Sequence, residues 1–367
     1  MKNFLLIVRW VVGLLFIFSG LVKANDPLGL SYKMQEFFEV WGWSALHDYT
    51  LAFSLMMNVF EVVTGIAVII GWQIRTIGWL LLALIIFFTF LTGYALFSGK
   101  IKTCGCFGDC LPLTAAQSFT KDLVLLVLII ILCIFRNNIQ VAISNPFAIA
   151  IILISLNGTG WLQSYVLRHL PIVDCLPYKK GNNILDQMKT PKGAIADSFA
   201  LNFIYKKNGQ ELKFDQSNFP TDFDSTYIYV DRTDVLAKKG NGLKAAIADF
   251  SLQTISGVDS TAAVFENKQY LLVLAKDFTE WASWQKSLDT IIKAAQSNQI
   301  PIILVTADAS TAQQHYANLP ILRCDATVLK TAARVNPTIF FMQKATIVFK
   351  YSYRDSNKIM QQILNWK

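Results

Sequence analysis

The sequence predicts an all-α bundle of about five membrane-crossing helices followed by a water-soluble α/β domain. Three observations carry that expectation. Of the 367 residues, 53% are hydrophobic, which is too apolar for an ordinary soluble chain. The apolarity is concentrated before about residue 170, and from about 176 onward the composition becomes that of a globular domain. That second stretch alternates strand-like and helix-like patterns, which is the signature of a mixed α/β layer.

A hydrocarbon core of about 30 Å needs about 20 mostly apolar residues per helix. Segments 4–24, 49–71, 77–98, 115–136 and 146–167 meet or approach that length. In the fourth, the densest apolar run is Leu123 to Phe135, and Thr114 with Gln117 forms a capping-box pattern that starts the helix earlier. The fifth is interrupted by Asn157-Gly158-Thr159-Gly160. In the first, Val22-Lys23-Ala24 looks like a signal-peptide cleavage site, but Arg9 and the spans behind it argue for a retained helix. Five spans put the loop at 99–114 and the soluble part on one side of the membrane. The expected division is a bundle at 1–170, a linker with a β-hairpin at 171–243, and a second domain at 244–367.

The net charge of +8 is dispersed along the chain, so nucleic acid is excluded as a partner and membrane lipid is expected. Arg9 and Glu61 lie inside apolar spans. Antiparallel helices would bring them to similar depth, which predicts a structural ion pair or a cofactor or proton site.

Six cysteines occur, at 104, 106, 110, 133, 175 and 324. Cys104, Cys106 and Cys110 crowd into one loop, and Cys175 follows the fifth span on the same side. These four are the candidate catalytic residues. Crowded thiols exchange disulfides, form a structural disulfide or bind a soft metal, and four cysteines allow three pairings. Cys133 sits in an apolar helix as a small hydrophobe.

The run RWVVGLLFIFSGLVKANDP at residues 9–27, Glu61 followed by Gly65, and CGCFGDC at 104–110 resemble the DoxX/MauE group of membrane proteins over about residues 1–140. The resemblance implies a bacterial inner-membrane protein with its cysteine loop and C-terminal domain extracytoplasmic. It also implies thiol–disulfide redox work, or maturation of envelope proteins, with quinone as a membrane electron partner. An extracytoplasmic client protein or a thioredoxin-like partner would then meet the loop.

In the soluble half, Gln269–Ala275 and Ile300–Thr306 read as buried strands around a helix at Thr279–Gln296, whose Trp281, Trp284, Leu288, Ile291 and Ile292 share one face. Strands at Thr338–Met342 and Thr346–Tyr351 and a helix at about 355–366 follow. Val335-Asn336-Pro337-Thr338 resembles the cis-proline segment of thioredoxin and TlpA-like proteins. Glu280-Trp281-Ala282-Ser283-Trp284-Gln285-Lys286 resembles their Glu-Trp-Cys-x-x-Cys-Lys, with Ala282 and Gln285 in place of both cysteines. The resemblance therefore implies a thioredoxin-like domain unable to run a dithiol cycle. Cys324 beside Arg323 reads as a buried structural thiol. Asn208-Gly209 between alternating arms marks a hairpin, and the three histidines are too scattered to form a site. Three functions stay open: a membrane thiol–disulfide oxidoreductase linked to quinone, a non-enzymatic membrane-anchored binding or scaffold module, and thiolate metal handling.

Overall fold

The computed structural model describes residues 2–101, 105–195, 198–215, 217–238, 240 and 242–366. Helices α1 (Lys2–Asn25), α2 (Pro27–Val40), α3 (Thr50–Ile70), α4 (Ile74–Ser98), α5 (Ala115–Ile134) and α6 (Asn145–His169) come first. All but α2 are long and apolar enough to cross a membrane, α3 together with the short 3-10 turn before it. The expected capping box opens α5: Thr114 Oγ1 accepts from the Gln117 amide at 3.2 Å, and Gln117 Oε1 accepts from the Thr114 amide at 3.0 Å. The predicted interruption of the fifth span is absent, because α6 runs unbroken through Asn157–Gly160. Glycine lowers helix propensity by about 1 kcal/mol, which a helix of 25 residues absorbs. α2 lies in what the sequence left as a connection. Asp26 caps it by accepting from the Gly29 amide at 3.2 Å, and Pro27 takes the first position.

Helices α1 and α3 cross at two glycines. A Cβ on Gly13 would sit 2.7 Å from the Gly65 carbonyl oxygen, and one on Gly65 would sit 2.7 Å from that of Gly13. Small residues at such a crossing let two backbones touch in a medium that offers no hydrophobic drive.

The chain forms two compact units, Met1–Gly181 with Ser251–Lys367 and Asn182–Phe250. The smaller unit holds α7 (Ile184–Met188) and the strands β1 (Ser198–Lys207), β2 (Gln210–Phe214) and β3 (Ile228–Lys238), ordered β2-β1-β3. The Asn208-Gly209 turn has positive φ at both residues, as a two-residue hairpin turn requires.

In the larger unit the remaining elements are α8 (Thr261–Glu266), β4 (Tyr270–Ala275), α9 (Trp281–Ser297), β5 (Ile302–Thr306), α10 (Ala309–Tyr316), β6 (Ile321–Arg323), α11 (Ala326–Ala332), β7 (Thr338–Gln343), β8 (Thr346–Ser352) and α12 (Ser356–Asn365). The sheet order is β6-β5-β4-β7-β8, with β4, β5 and β6 parallel and β7 antiparallel to β4. α9 buries Trp284, Leu288, Ile291 and Ile292, four of the five residues its spacing picked out. Trp281 is partly buried and stacks on His315 with ring centroids 3.9 Å apart. The soluble half is therefore α/β, as expected, with α8, α10, β6 and α11 added. The Asn336–Pro337 peptide is cis.

Candidate functional site

The loop between α4 and α5 turns at Gly105 and Gly108, whose φ values of 71° and 56° suit glycine. The Gly108 amide donates to the Gly105 carbonyl at 3.0 Å. Between them Cys106 is buried against Phe37, Ala95 and Ile101, and its carbonyl accepts from Ser19 Oγ at 3.0 Å. Phe107 is buried with its ring 5.5 Å from that of Phe18, and the Lys121 ammonium lies 5.1 Å from its centroid. Cys110 is solvent-exposed and joined by a disulfide to Cys175, with Cα atoms 4.8 Å apart. Cys104 lies outside the described residues.

Cys106 lines two cavities. One, of about 110 Å³, also has Asp26, Lys33, Asp109 and Ser118 in its wall. The other, of about 30 Å³, is apolar except for Lys23 and Lys33. It shares Met34, Phe37, Phe87 and Leu91 with an open apolar groove of about 570 Å³, which Trp41 and Phe60 also line. Cys106 thus lines both a cavity with charged residues in its wall and a smaller, more apolar one.

The disulfide is flanked by charges that the sequence did not single out. Arg334 Nη2 lies 2.9 Å from both Asp26 Oδ2 and Asp109 Oδ2. Its Nε donates to both Asp26 oxygens, and its Nη1 to the Lys330 carbonyl at 2.9 Å. Lys350 on β8 pairs with Asp174 at 2.8 Å. Burial pushes the Asp26 carboxyl up, with Arg334 pulling the other way. Burial likewise lowers the Lys350 ammonium, with Asp174 opposing it. The segment carrying Asp174 is tied to the end of α1, since Asn25 exchanges two hydrogen bonds with the Val173 backbone, at 2.8 and 3.1 Å.

The expected Arg9–Glu61 pair does not form. Glu61 pairs instead with Lys23, both fully buried, and the lysine ammonium lies 4.9 Å from the Phe88 ring centroid. Glu61 Oε2 has no hydrogen-bond partner among the described residues. Arg9 caps the end of α3 by donating to the carbonyls of Val68 and Ile69, and to that of Gln140 at 3.2 Å. The register of the α1–α3 crossing is the reason: it sets residue 9 beside the carbonyl end of α3, where a cation complements the helix dipole, and residue 23 beside Glu61. A second buried charge, Asp122, binds Lys121 at 2.5 Å and accepts from Thr92 Oγ1 at 3.0 Å. An acid inside an apolar helix was the available signal for it.

Near the cis peptide, Asn336 holds the end of β4. Its Oδ1 accepts from the Lys276 amide and its Nδ2 donates to the Asp277 carbonyl, both at 2.9 Å. Burial lowers the Lys276 ammonium from 10.5 to about 8. Between those two values the folded chain binds fewer protons than the unfolded one, so this group's contribution to stability rises as pH rises through that window. Lys276→Met should flatten that slope and raise the thermal midpoint near pH 7, as read from unfolding of the detergent-solubilised chain between pH 7 and 10. An unchanged slope would show that the ammonium is not held in a desolvating site. Cys324 is buried, and burial pushes its thiol up to about 12, which leaves it protonated and unreactive near neutrality.

Residues 1–135 match the family model of methylamine utilisation protein MauE. The match covers α1 to α5 and the cysteine loop, and it stops before Cys175. Residues 199–239 match a domain of unknown function, DUF8463, which spans β1 to β3. No curated protein and no solved structure matches the chain. The protein is thus a multi-pass membrane protein whose first 135 residues are MauE-like, followed by an α/β region.

Proposed function

We propose that the chain is an extracytoplasmic-facing thiol–disulfide protein of a bacterial inner membrane, and that its exchange chemistry belongs to the membrane half. The observation that carries this reading is the Cys110–Cys175 disulfide, exposed at Cys110 and lying one turn of loop from the buried Cys106. A client thiolate attacks one of its sulfurs, the S–S bond breaks, and the other sulfur leaves as a thiolate while a mixed disulfide forms. A second client thiol, losing its proton, then displaces the first cysteine. The client ends as a disulfide and Cys110 and Cys175 as a dithiol. Regenerating the disulfide requires a two-electron acceptor of the quinone class, for which Phe37, Trp41, Phe87 and Leu91 of the groove would provide the apolar seat.

The C-terminal α/β part reads as a thioredoxin-like domain without its dithiol. Its sheet order, the cis Asn336–Pro337 peptide and the helix starting at Trp281 support that reading. Ala282 and Gln285 stand where exchange cysteines would be, so the domain holds a partner and transfers no electrons itself. Two of the four clustered thiols are taken up by the disulfide, which counts against a metal site.

Single Cys→Ser changes at 104, 106, 110, 175 and 324, followed by non-reducing gels of intact cells, test the proposal. Adducts should appear when one of Cys110 and Cys175 is replaced and the remaining thiolate attacks the disulfide of an oxidised client, whose other sulfur leaves as a thiolate. Adducts that depend on Cys324 alone would overturn the assignment. No adducts from any variant, with unchanged growth under oxidative stress, would leave the binding-module function in its place.

A further inference from the structure

Each cysteine of the disulfide is preceded in sequence by an aspartate, and each aspartate is gripped by a cation from the α/β part. Asp109 meets Arg334 at 2.9 Å, and Asp174 meets Lys350 at 2.8 Å. The cations are only 4% and 3% exposed at their side chains, and arginine and lysine are almost never buried so deeply without a fixed partner. Arg334 lies just ahead of β7 and Lys350 in β8, its hairpin mate. The β7–β8 hairpin and the segment leading into it therefore reach both stretches of chain that the disulfide joins, 65 residues apart in sequence. Arg334 also holds Asp26, which ties the Cys110 side of the clamp to the end of α1, and Asn25 does the same for the Cys175 side.

We propose that Arg334 and Lys350 are positioning residues that hold Cys110 and Cys175 at bonding distance, so that seating of the α/β part and closure of the disulfide strengthen each other. When the disulfide is opened by a dithiol reductant, two electrons and two protons go to Cys110 and Cys175, and the reductant becomes a disulfide. The two stretches then stay near each other through the clamp and through the end of α1, which Asn25 and Asp26 tie to either side. A clamp that keeps two thiols side by side raises their effective concentration and favours re-closure. By linkage, whatever factor the clamp adds to closure, closure must add to seating. Lys350 balances Asp174, whereas Arg334 faces two carboxylates, Asp26 and Asp109, and the coupling rests on the proximity these contacts enforce rather than on a field at the sulfurs. This coupling does not depend on which client, if any, the disulfide oxidises.

The test uses the full-length chain in detergent micelles, equilibrated with glutathione buffers and quenched by alkylation. Lys350→Met, alone and with Arg334→Met, should shift the disulfide–dithiol equilibrium toward dithiol by at least tenfold. Lys350→Arg should restore most of the loss. In the unmutated chain, reduction should speed amide hydrogen exchange across 330–337 and 347–352, a readout that needs no variant to fold. An equilibrium unmoved in folded Lys350→Met, or exchange unmoved by reduction, overturns the coupling. Client adducts without coupling would sink this inference alone, and coupling without client adducts would sink only the exchange function.

Discussion

Glu61→Gln should destabilise the bundle by about 3–5 kcal/mol, because it leaves the Lys23 ammonium charged, buried and without its counter-ion. The cost is that of an orphaned charge rather than of a lost contact. Adding Lys23→Met should therefore recover most of it, since an apolar pair of similar volume is often neutral or better. Adding Arg9→Gln should recover nothing, because Arg9 is engaged with the carbonyl end of α3. Thermal unfolding of the unmutated chain, the three single variants and the two double variants in detergent, with yield as a second readout, measures both cycles. Recovery by Arg9→Gln and not by Lys23→Met would restore the pairing that simple depth matching suggested.

That reassignment shows where the sequence is legible and where it is not. Spans are readable because 20 apolar residues in a row have few other uses, and the Thr114–Gln117 box is readable because two local hydrogen bonds define it. Depth is coarser. Counting residues from each helix end placed Arg9 opposite Glu61, but the register is fixed by how closely Gly13 and Gly65 let the backbones approach, a tertiary fact. Lys23 escaped notice because it closes α1 and looked like part of a cleavage site or an outer loop, whereas its long stem reaches back beneath the surface. In the soluble half, α9 was legible from the spacing of Trp284, Leu288 and Ile291. β6, with three residues, is too short to leave a pattern. The flanking aspartates were visible at 109 and 174, but only the fold shows that Arg334, ahead of β7, and Lys350, in β8, meet them.

Gly65→Ala should be among the most damaging single-methyl additions in the membrane half. Its new Cβ would lie 2.7 Å from the Gly13 carbonyl oxygen and 3.1 Å from the Ile17 nitrogen. Both are backbone atoms, which cannot rotate away, so α1 and α3 must separate. Overpacking alone costs about 1–3 kcal/mol. Here the crossing lies between two polar attachments, Arg9 on the carbonyls of Val68 and Ile69 and Lys23 on Glu61, so separation also loosens hydrogen bonds that no water replaces in lipid. Gly158→Ala and Gly160→Ala are the controls, for nothing lies within 4 Å of a Cβ at either position. Each removes a helix-interior glycine and should be neutral or stabilising by up to about 1 kcal/mol. Combining Gly65→Ala with Lys23→Met should cost less than the sum of the two, because a strained crossing has already weakened the ion pair that the second change removes. The midpoints of thermal unfolding decide it, and a Gly65→Ala chain as stable as Gly160→Ala would mean that α1 and α3 do not touch at their glycines.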